Sequence, residues 1–296
     1  MPSKKLWPWW EQPTGTTDYR VRELLRAILD LHGYYGDKDV WLWRGQANAD
    51  HDLTAGVHTR IEFSNRAVDD GSVVSATESL LDDLRRAKLD THEGAALPDL
   101  ALLAQAQHHG AATPLLDVSM DPMVALYMAV VSPSSRDAEK DGVLFAIRRP
   151  TMTDDVKVLP FDTRSFRKIY GDLPRSKPIL YSAPDVSDRL RIQRGHFLLS
   201  TVSTTDARVR VNLTAESQGA SETWLANRLA RRGRPGRVGA PKSDIATFRI
   251  DKKFKRMLQD WIEERTGLTE EYVYPTIWHQ PHQEVFAKSH GRRSKV

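Results

Sequence analysis

The chain has no cysteine among its 296 residues. That excludes disulfides, thiolate nucleophiles and thiolate zinc sites together. No apolar run approaches the roughly eighteen residues that a membrane-spanning helix requires. The N-terminal stretch Leu6–Trp10 is short and broken by Pro8, unlike the apolar segment of a secretory signal. Neither standard glycine-rich phosphate loop occurs, which argues against an ordinary ATP or Rossmann site. Ser119 lacks a Gly-x-Ser-x-Gly elbow, so acyl transfer through a triad is not expected. His-x-x-x-His and Glu-x-x-His spacings are missing too. The adjacent His108 and His109 diverge by about 100° on a helix, so no metal is expected there. A cytoplasmic location and no membrane partner are the expectation.

What is present describes a globular chain of 40% hydrophobic and 28% charged residues, long enough to bury a substantial core. The formal charge of +4 permits nucleic-acid contact without demanding it. Residues 1–16 form a Trp/Pro-rich arm carrying Trp7, Trp9 and Trp10, read as lying on the domain body or as an oligomer contact. Residues 17–290 read as a single domain, and residues 291–296 as a basic tail. Arg228, Arg231, Arg232, Arg234, Arg237 and Lys242 cluster near Gly233, Pro235, Gly236 and Gly239. This reads as a helix over Ser221–Arg231 followed by a mobile basic loop at about 228–242, a possible nucleic-acid contact.

Periodicity places a helix from Thr17 or Asp18 to His32, a strand over Asp39–Gly45, a polar loop over Ala47–Thr59 and a charged helix over Thr77–Thr91. Helices over Leu97–His109, stopped by Gly110, and from Asp121-Pro122 to Val130 flank a tight polar turn. Later strands are expected at Gly142–Arg148, Val156–Leu159, Ile179–Tyr181, Leu190–Ser200 (with a glycine bend) and Ile245–Ile250. Phe161–Tyr170 reads equally as helix or irregular connection. Lys252–Arg265 is an amphipathic helix stopped by Gly267. The elements intersperse without regular βα alternation. The fold class expected is therefore α+β, a mixed and mostly antiparallel sheet with flanking helices.

Candidate chemistry concentrates in the polar turn and at the end of the first strand. Arg44 closes a hydrophobic strand beside Gly45 and Gln46, as either a partner for a carboxylate such as Asp117 or a planar fork for phosphate. The turn contributes Gln107, His108, His109, Thr113, Asp117 and Ser119. One histidine is expected to pack inward and the other to reach the pocket near Asp117. Asp117 and Ser119 can each serve as acid, base or helix cap.

Gln107-His108-His109-Gly110, Thr113, Leu115-Leu116-Asp117, Pro122 and Ala125-Leu126-Tyr127 together resemble a motif block of the FRG-domain family. Trp43-Arg44-Gly45-Gln46 is similar to the Phe-Arg-Gly triplet that names the family. Arg191-Ile192 with Gln193, Gly195 and Phe197, then Gly267-Leu268 and Tyr274-Pro275, extend the resemblance to roughly residues 40–290. Pro114 and Val118 stand where the family usually has Arg and an aromatic, which implies one lost anion anchor.

Arg44, then Ser119 before a helix of the form x-x-V-A-L-x-x-A, is also similar in order to ADP-ribosyltransferases. That likeness implies an ADP-ribosyltransferase-like core. Arg44 would meet the phosphates of NAD, and Ser119 would brace the nicotinamide side. Gln193 stands at the place of the late Glu, so another acid such as Asp117 or Glu284 serves, or the site binds without turnover. Together the resemblances imply a nucleotide-like ligand, NAD as cofactor, catalytic roles for Asp117, Gln193 and His109, and binding roles for Arg44, Gly45, Gln46, Gln107, His108, Thr113 and Ser119. They also imply an effector in bacterial stress or anti-phage conflict.

Overall fold

The computed structural model describes residues 17–33, 41–131, 135–149, 156–184, 188–204, 209–213 and 244–274. The Trp-rich arm, the Ser221–Arg231 helix, the basic stretch 228–242, Glu284 and the tail lie outside the described residues.

In chain order the elements are α1 (Thr17–Gly33), β1 (Trp41–Gln46), α2 (Gly56–Phe63), α3 (Asp70–Arg86), β2 (Thr91–His92), β3 (Ala95–Ala96) and α4 (Asp99–His108). Then follow β4 (Leu116–Ser119), α5 (Pro122–Val130), α6 (Ser135–Ala138), β5 (Gly142–Arg148), α7 (Phe166–Gly171) and β6 (Ile179–Tyr181). The last are α8 (Asp188–Ile192), β7 (Gly195–Leu199), β8 (Ile245–Ile250), α9 (Lys252–Thr266) and α10 (Glu270–Val273). The ladders β1–β4, β1–β5, β2–β3, β5–β8 and β6–β7 are antiparallel, so the chain is α+β with a mostly antiparallel sheet and flanking helices.

The chain forms two compact units. The first takes Met1–Asp52, Val118–Arg149 and Thr214–Val273, and the second takes Leu53–Asp117, Pro150–Leu213 and Tyr274–Val296. In the first, β1 pairs with β4 (Trp43 opposite Ser119) and with β5 (Trp41 opposite Arg148 through Gln46 opposite Val143). β5 in turn pairs with β8, Gly142 opposite Ile250. β5 is an unbroken apolar run buried from Gly142 to Ile147, as a strand covered on both faces should be.

Asp121 caps α5 by accepting from the Met123 N–H at 2.8 Å, with Pro122 at the first turn. The helix has almost no polar face and lies flush on the strands. A Cβ placed on Gly45 would sit 1.8 Å from the Ala125 carbonyl oxygen, and one on Gly142 would sit 2.3 Å from the Ala129 oxygen. Trp43, fully buried, donates its indole N–H to His32 Nδ1 on α1 at 3.2 Å. Tyr127 donates to Glu263 on α9 at 3.0 Å. The Asp251 cap and the left-handed Gly267 (φ 72°) bound α9, as the cap, stripe and glycine stop in its sequence require.

The second unit packs α2, α3, α4 and α7 with the β6–β7 hairpin around Leu80, Leu84, Leu103, Phe166, Tyr181 and Phe197. β2 and β3 form a small hairpin whose turn, Glu93-Gly94, has φ of 49° and 82°. Two successive positive φ values are what a two-residue hairpin loop needs.

Several expectations are corrected here. Ala47–Thr59 is not a loop throughout, because α2 occupies Gly56–Phe63; it has no side-chain cap and is held by packing and by Val57 N–H donating to Thr113 O at 3.1 Å. The charged helix starts at Asp70 rather than Thr77, since Asp69 and Ser72 exchange capping bonds of 2.7 and 3.0 Å. It ends at Arg86, leaving Leu89 in the following turn with its N–H on Leu84 O. Val156–Leu159 is irregular: Lys157 O and Leu159 N–H bond the side chains of Arg164 and Asp162 instead of a neighbouring strand.

Leu190–Ser200 is not one strand. Helix α8 runs to Ile192, and the bend falls on Arg194 (φ 44°) rather than on Gly195. Gly195 faces Leu190, whose Cδ1 would lie 2.9 Å from an added Cβ. The undecided Phe161–Tyr170 contains α7, capped by Ser165.

Two predictions follow from this packing. Gly45→Ala forces a methyl into the α5 backbone and should destabilise the protein by about 1–3 kcal/mol or more. Gly171→Ala, with nothing within 4 Å of its added carbon, should stay within about 0.5 kcal/mol in urea titrations. The second concerns His58 on α2, 3% exposed. Burial first, then the Arg210 charge, lowers its pKa from 6.5 to about 4. The unfolded state therefore takes up a proton below pH 6.5 that the folded state refuses. Stability should fall by up to roughly 3 kcal/mol as pH drops from 6.5 towards 4. His58→Gln should flatten that slope in denaturation curves measured across the same window.

Candidate functional site

In the first unit the site begins at the end of β1, where three fully buried or nearly buried residues (Trp41, Leu42, Trp43) give way to the half-buried Arg44, Gly45 and Gln46. Side chains alternate along a strand, and directly opposed residues share a face. The Trp43–Ser119 register therefore sets Trp43, Gly45 and Ser119 on one face and Arg44 with Gln46 on the other. Residue order alone brings Arg44 and Ser119 together; the register separates their side chains. Helix α5 occupies the open side of Gly45, so that glycine admits helix backbone. The Ser119 hydroxyl accepts the Asp121 N–H at 3.0 Å, which shapes the entry into α5.

On the opposite face, the Gln46 side-chain amide reaches Asp52 O at 3.4 Å, at the long limit for a hydrogen bond. Its Oε1 is buried and has no hydrogen-bond partner among the described residues. A buried acceptor left in this state costs about 1–3 kcal/mol.

The loop that follows is clamped by a group of residues the sequence reading passed over. Lys255 on α9 is 5% exposed and donates to Ala47 O at 2.6 Å and Asp137 O at 3.1 Å. Burial lowers its pKa, against the opposing pull of Asp137, Asp141 and Glu139. Asn48 donates to Asp137 Oδ1 at 2.8 Å, and Ala49 N–H to Asp141 O at 2.7 Å. Arg249 Nε and Lys252 N–H hold the Asp141 carboxylate at 3.0 and 2.9 Å. A signal existed in the sequence. Lys255 sits three and seven residues before Leu258 and Ile262, on the buried stripe of α9.

In the second unit, α4 ends in Gln107 and His108, with His109 as its cap and Gly110 (φ 92°) turning the chain. Thr113, 1% exposed, donates its hydroxyl to Gln107 Oε1 and accepts the Leu115 N–H at 3.2 Å. Gln107 and Thr113 thus close the polar turn on itself. His108, half-buried like His109, meets Phe197 of β7 edge-on, centroids 6.0 Å apart. His109 stays half-buried, as does Asp117 on β4. Gln193 is 6% exposed in the turn that leads into β7, two residues before Gly195. Among the described residues no group of three His, Asp or Glu is placed to hold a metal.

The ten expected site residues therefore fall into two sets. Arg44, Gly45, Gln46 and Ser119 belong to the first unit; Gln107, His108, His109, Thr113, Asp117 and Gln193 belong to the second. Within the second, Gln107 is bonded to Thr113, and His108 packs on the strand that Gln193 introduces.

No curated protein and no solved structure matches the chain. A family model does match, over residues 39–138, which run from the lead-in to β1 through α6. The Trp43–Gln46 and Gln107–Tyr127 blocks fall inside that range, while Arg191–Phe197 and Gly267–Pro275 lie beyond it. The chain carries an FRG domain at residues 39–138.

Proposed function

We propose that the FRG domain binds a phosphate-bearing nucleotide, NAD foremost, on the Arg44–Gln46 face of β1, within an ADP-ribosyltransferase-like core. The observation that carries this reading is the buried, unpartnered Gln46 Oε1 two residues from Arg44 on the same face. A guanidinium offers a planar fork to phosphate oxygens. An amide or amine of a nucleotide supplies the donor that Gln46 lacks. Lys255 and Asp141 fix the loop behind these residues, so the face is preorganised for a ligand.

Binding is the first half of the proposal, and turnover is the second. Gln193, at the position suggested for the late Glu, forms hydrogen bonds but cannot accept a proton or offset oxocarbenium charge. Within the second unit, Asp117 and His109 are the titratable residues proposed for acid–base work. Gln107, His108 and Thr113 are assigned to shaping the polar turn of that unit, and Ser119 to shaping the entry into α5. The setting proposed is an effector of bacterial stress or anti-phage conflict.

Arg44→Lys keeps the charge and loses the fork. It should weaken NAD or ADP-ribose binding by about 1–3 kcal/mol, roughly ten- to hundredfold in Kd, with an unchanged melting temperature. Calorimetry and chromatographic detection of nicotinamide check both halves. Absence of binding by wild-type protein at millimolar NAD removes the whole reading, and binding without nicotinamide release removes only turnover.

A further inference from the structure

Away from the Arg44 face, the second unit contains a polar cluster that the proposed function does not use. His58 and Glu62 lie one helical turn apart on α2, so both side chains project from the same face. Arg210 pairs with Glu62 through Nη2, which draws its guanidinium along the His58 side of the helix. The backbone around Arg210 is fixed as well. Val209 bridges Leu53, Val211 bridges Val202, and Ser203 N–H donates to Arg210 O at 2.9 Å.

Among the described residues, two polar atoms in this arrangement are buried and have no hydrogen-bond partner: His58 Nδ1 and Arg210 Nε. The acids nearby are already engaged. Glu62 holds Arg210 Nη2. Asp70 accepts from Tyr170 Oη at 2.9 Å, Arg175 Nη1 at 2.6 Å and Val202 N–H at 2.8 Å. Burial and the neighbouring Asp70 push the Tyr170 phenol far above its usual range, so it remains a donor to that carboxylate. Neither acid is left to satisfy the two orphaned nitrogens.

An Nε–H can only donate, and a neutral imidazole carrying its proton on Nδ1 donates as well. Two buried donors on side chains close enough for the Arg210 charge to act on the imidazole call for an acceptor group with two lone pairs. We propose that His58 and Arg210 form a binding site for a single small oxyanion, a carboxylate or phosphate group, held by His58 Nδ1–H and Arg210 Nε–H. With Glu62 and Asp70 each neutralised by an arginine, the incoming charge meets no free carboxylate among these residues. The Arg210 charge is felt at the imidazole, where it helps to keep the ring neutral. An anion between the two would reverse that influence and favour the imidazolium.

The test is an NMR titration of the full chain, following the His58 imidazole with inorganic phosphate in one arm and acetate in the other. His58 is recognised by its titration near about 4, and His58→Gln confirms the assignment where that variant folds. The expected result is a saturable shift of the His58 signals in at least one arm, with its titration midpoint moving up by about a unit as the anion binds. The arm that responds identifies phosphate or carboxylate as the ligand group. Arg210→Lys, which keeps the charge but loses the Nε–H, should weaken the effect about tenfold or more. The proposal is overturned if neither anion gives a saturable shift, or if Arg210→Lys leaves the saturation curve unchanged.

Discussion

The first unit depends on backbone contact between α5 and the strands beneath it. At Gly45 and Gly142 no side chain separates helix from sheet, and the carbonyls of Ala125 and Ala129 take the space a Cβ would fill. Close approach of this kind lets small interface residues pack at full density, and it fixes the helix in position and rotation. Every feature at the end of β1 follows from that placement. Asp121 must cap α5 where β4 ends, Ser119 must turn towards Asp121, and Tyr127 must reach Glu263 on α9. The glycine of the Trp43-Arg44-Gly45 triplet is thus explained by packing.

Polar interactions then set what the fold can offer a ligand. Lys255 costs desolvation, offset by two carbonyl bonds that tie the loop after β1 to the residues around α6. Thr113 and Gln107 satisfy each other in the turn after α4, so they contribute shape before they contribute chemistry. His108 is spent on an edge contact with Phe197. In the first unit, the Arg44–Gln46 face holds a buried acceptor, Gln46 Oε1, with no hydrogen-bond partner among the described residues.

Much of this architecture was legible in the sequence where the signals are local. β5, β6 and β8 match their apolar runs residue for residue, and α9 follows from its Asp251 cap, its stripe and Gly267. Elements held by distant partners were not legible. α2 carries no cap of its own and depends on Thr113, and α3 starts at Asp70 rather than Thr77 because Asp69 and Ser72 exchange capping bonds. Parity across strands was the costliest omission. Period two assigns faces within β1, but only the register with β4 reveals that Arg44 and Ser119 look in opposite directions.

Buried polar atoms are satisfied to very different degrees along this chain. Asp70 shows how fully the second unit can saturate a carboxylate, drawing an hydroxyl, a guanidinium and a backbone N–H from separate segments. Against that standard, His58 Nδ1 and Arg210 Nε stand out, because no described residue supplies an acceptor for either. Gln46 Oε1 in the first unit is orphaned in the complementary sense, an acceptor without a donor. A fold selected for stability alone gains by replacing such groups with apolar ones of similar shape. At the end of β1 and on α2 such groups stand with opposite hydrogen-bonding demand, an acceptor in the one place and donors in the other.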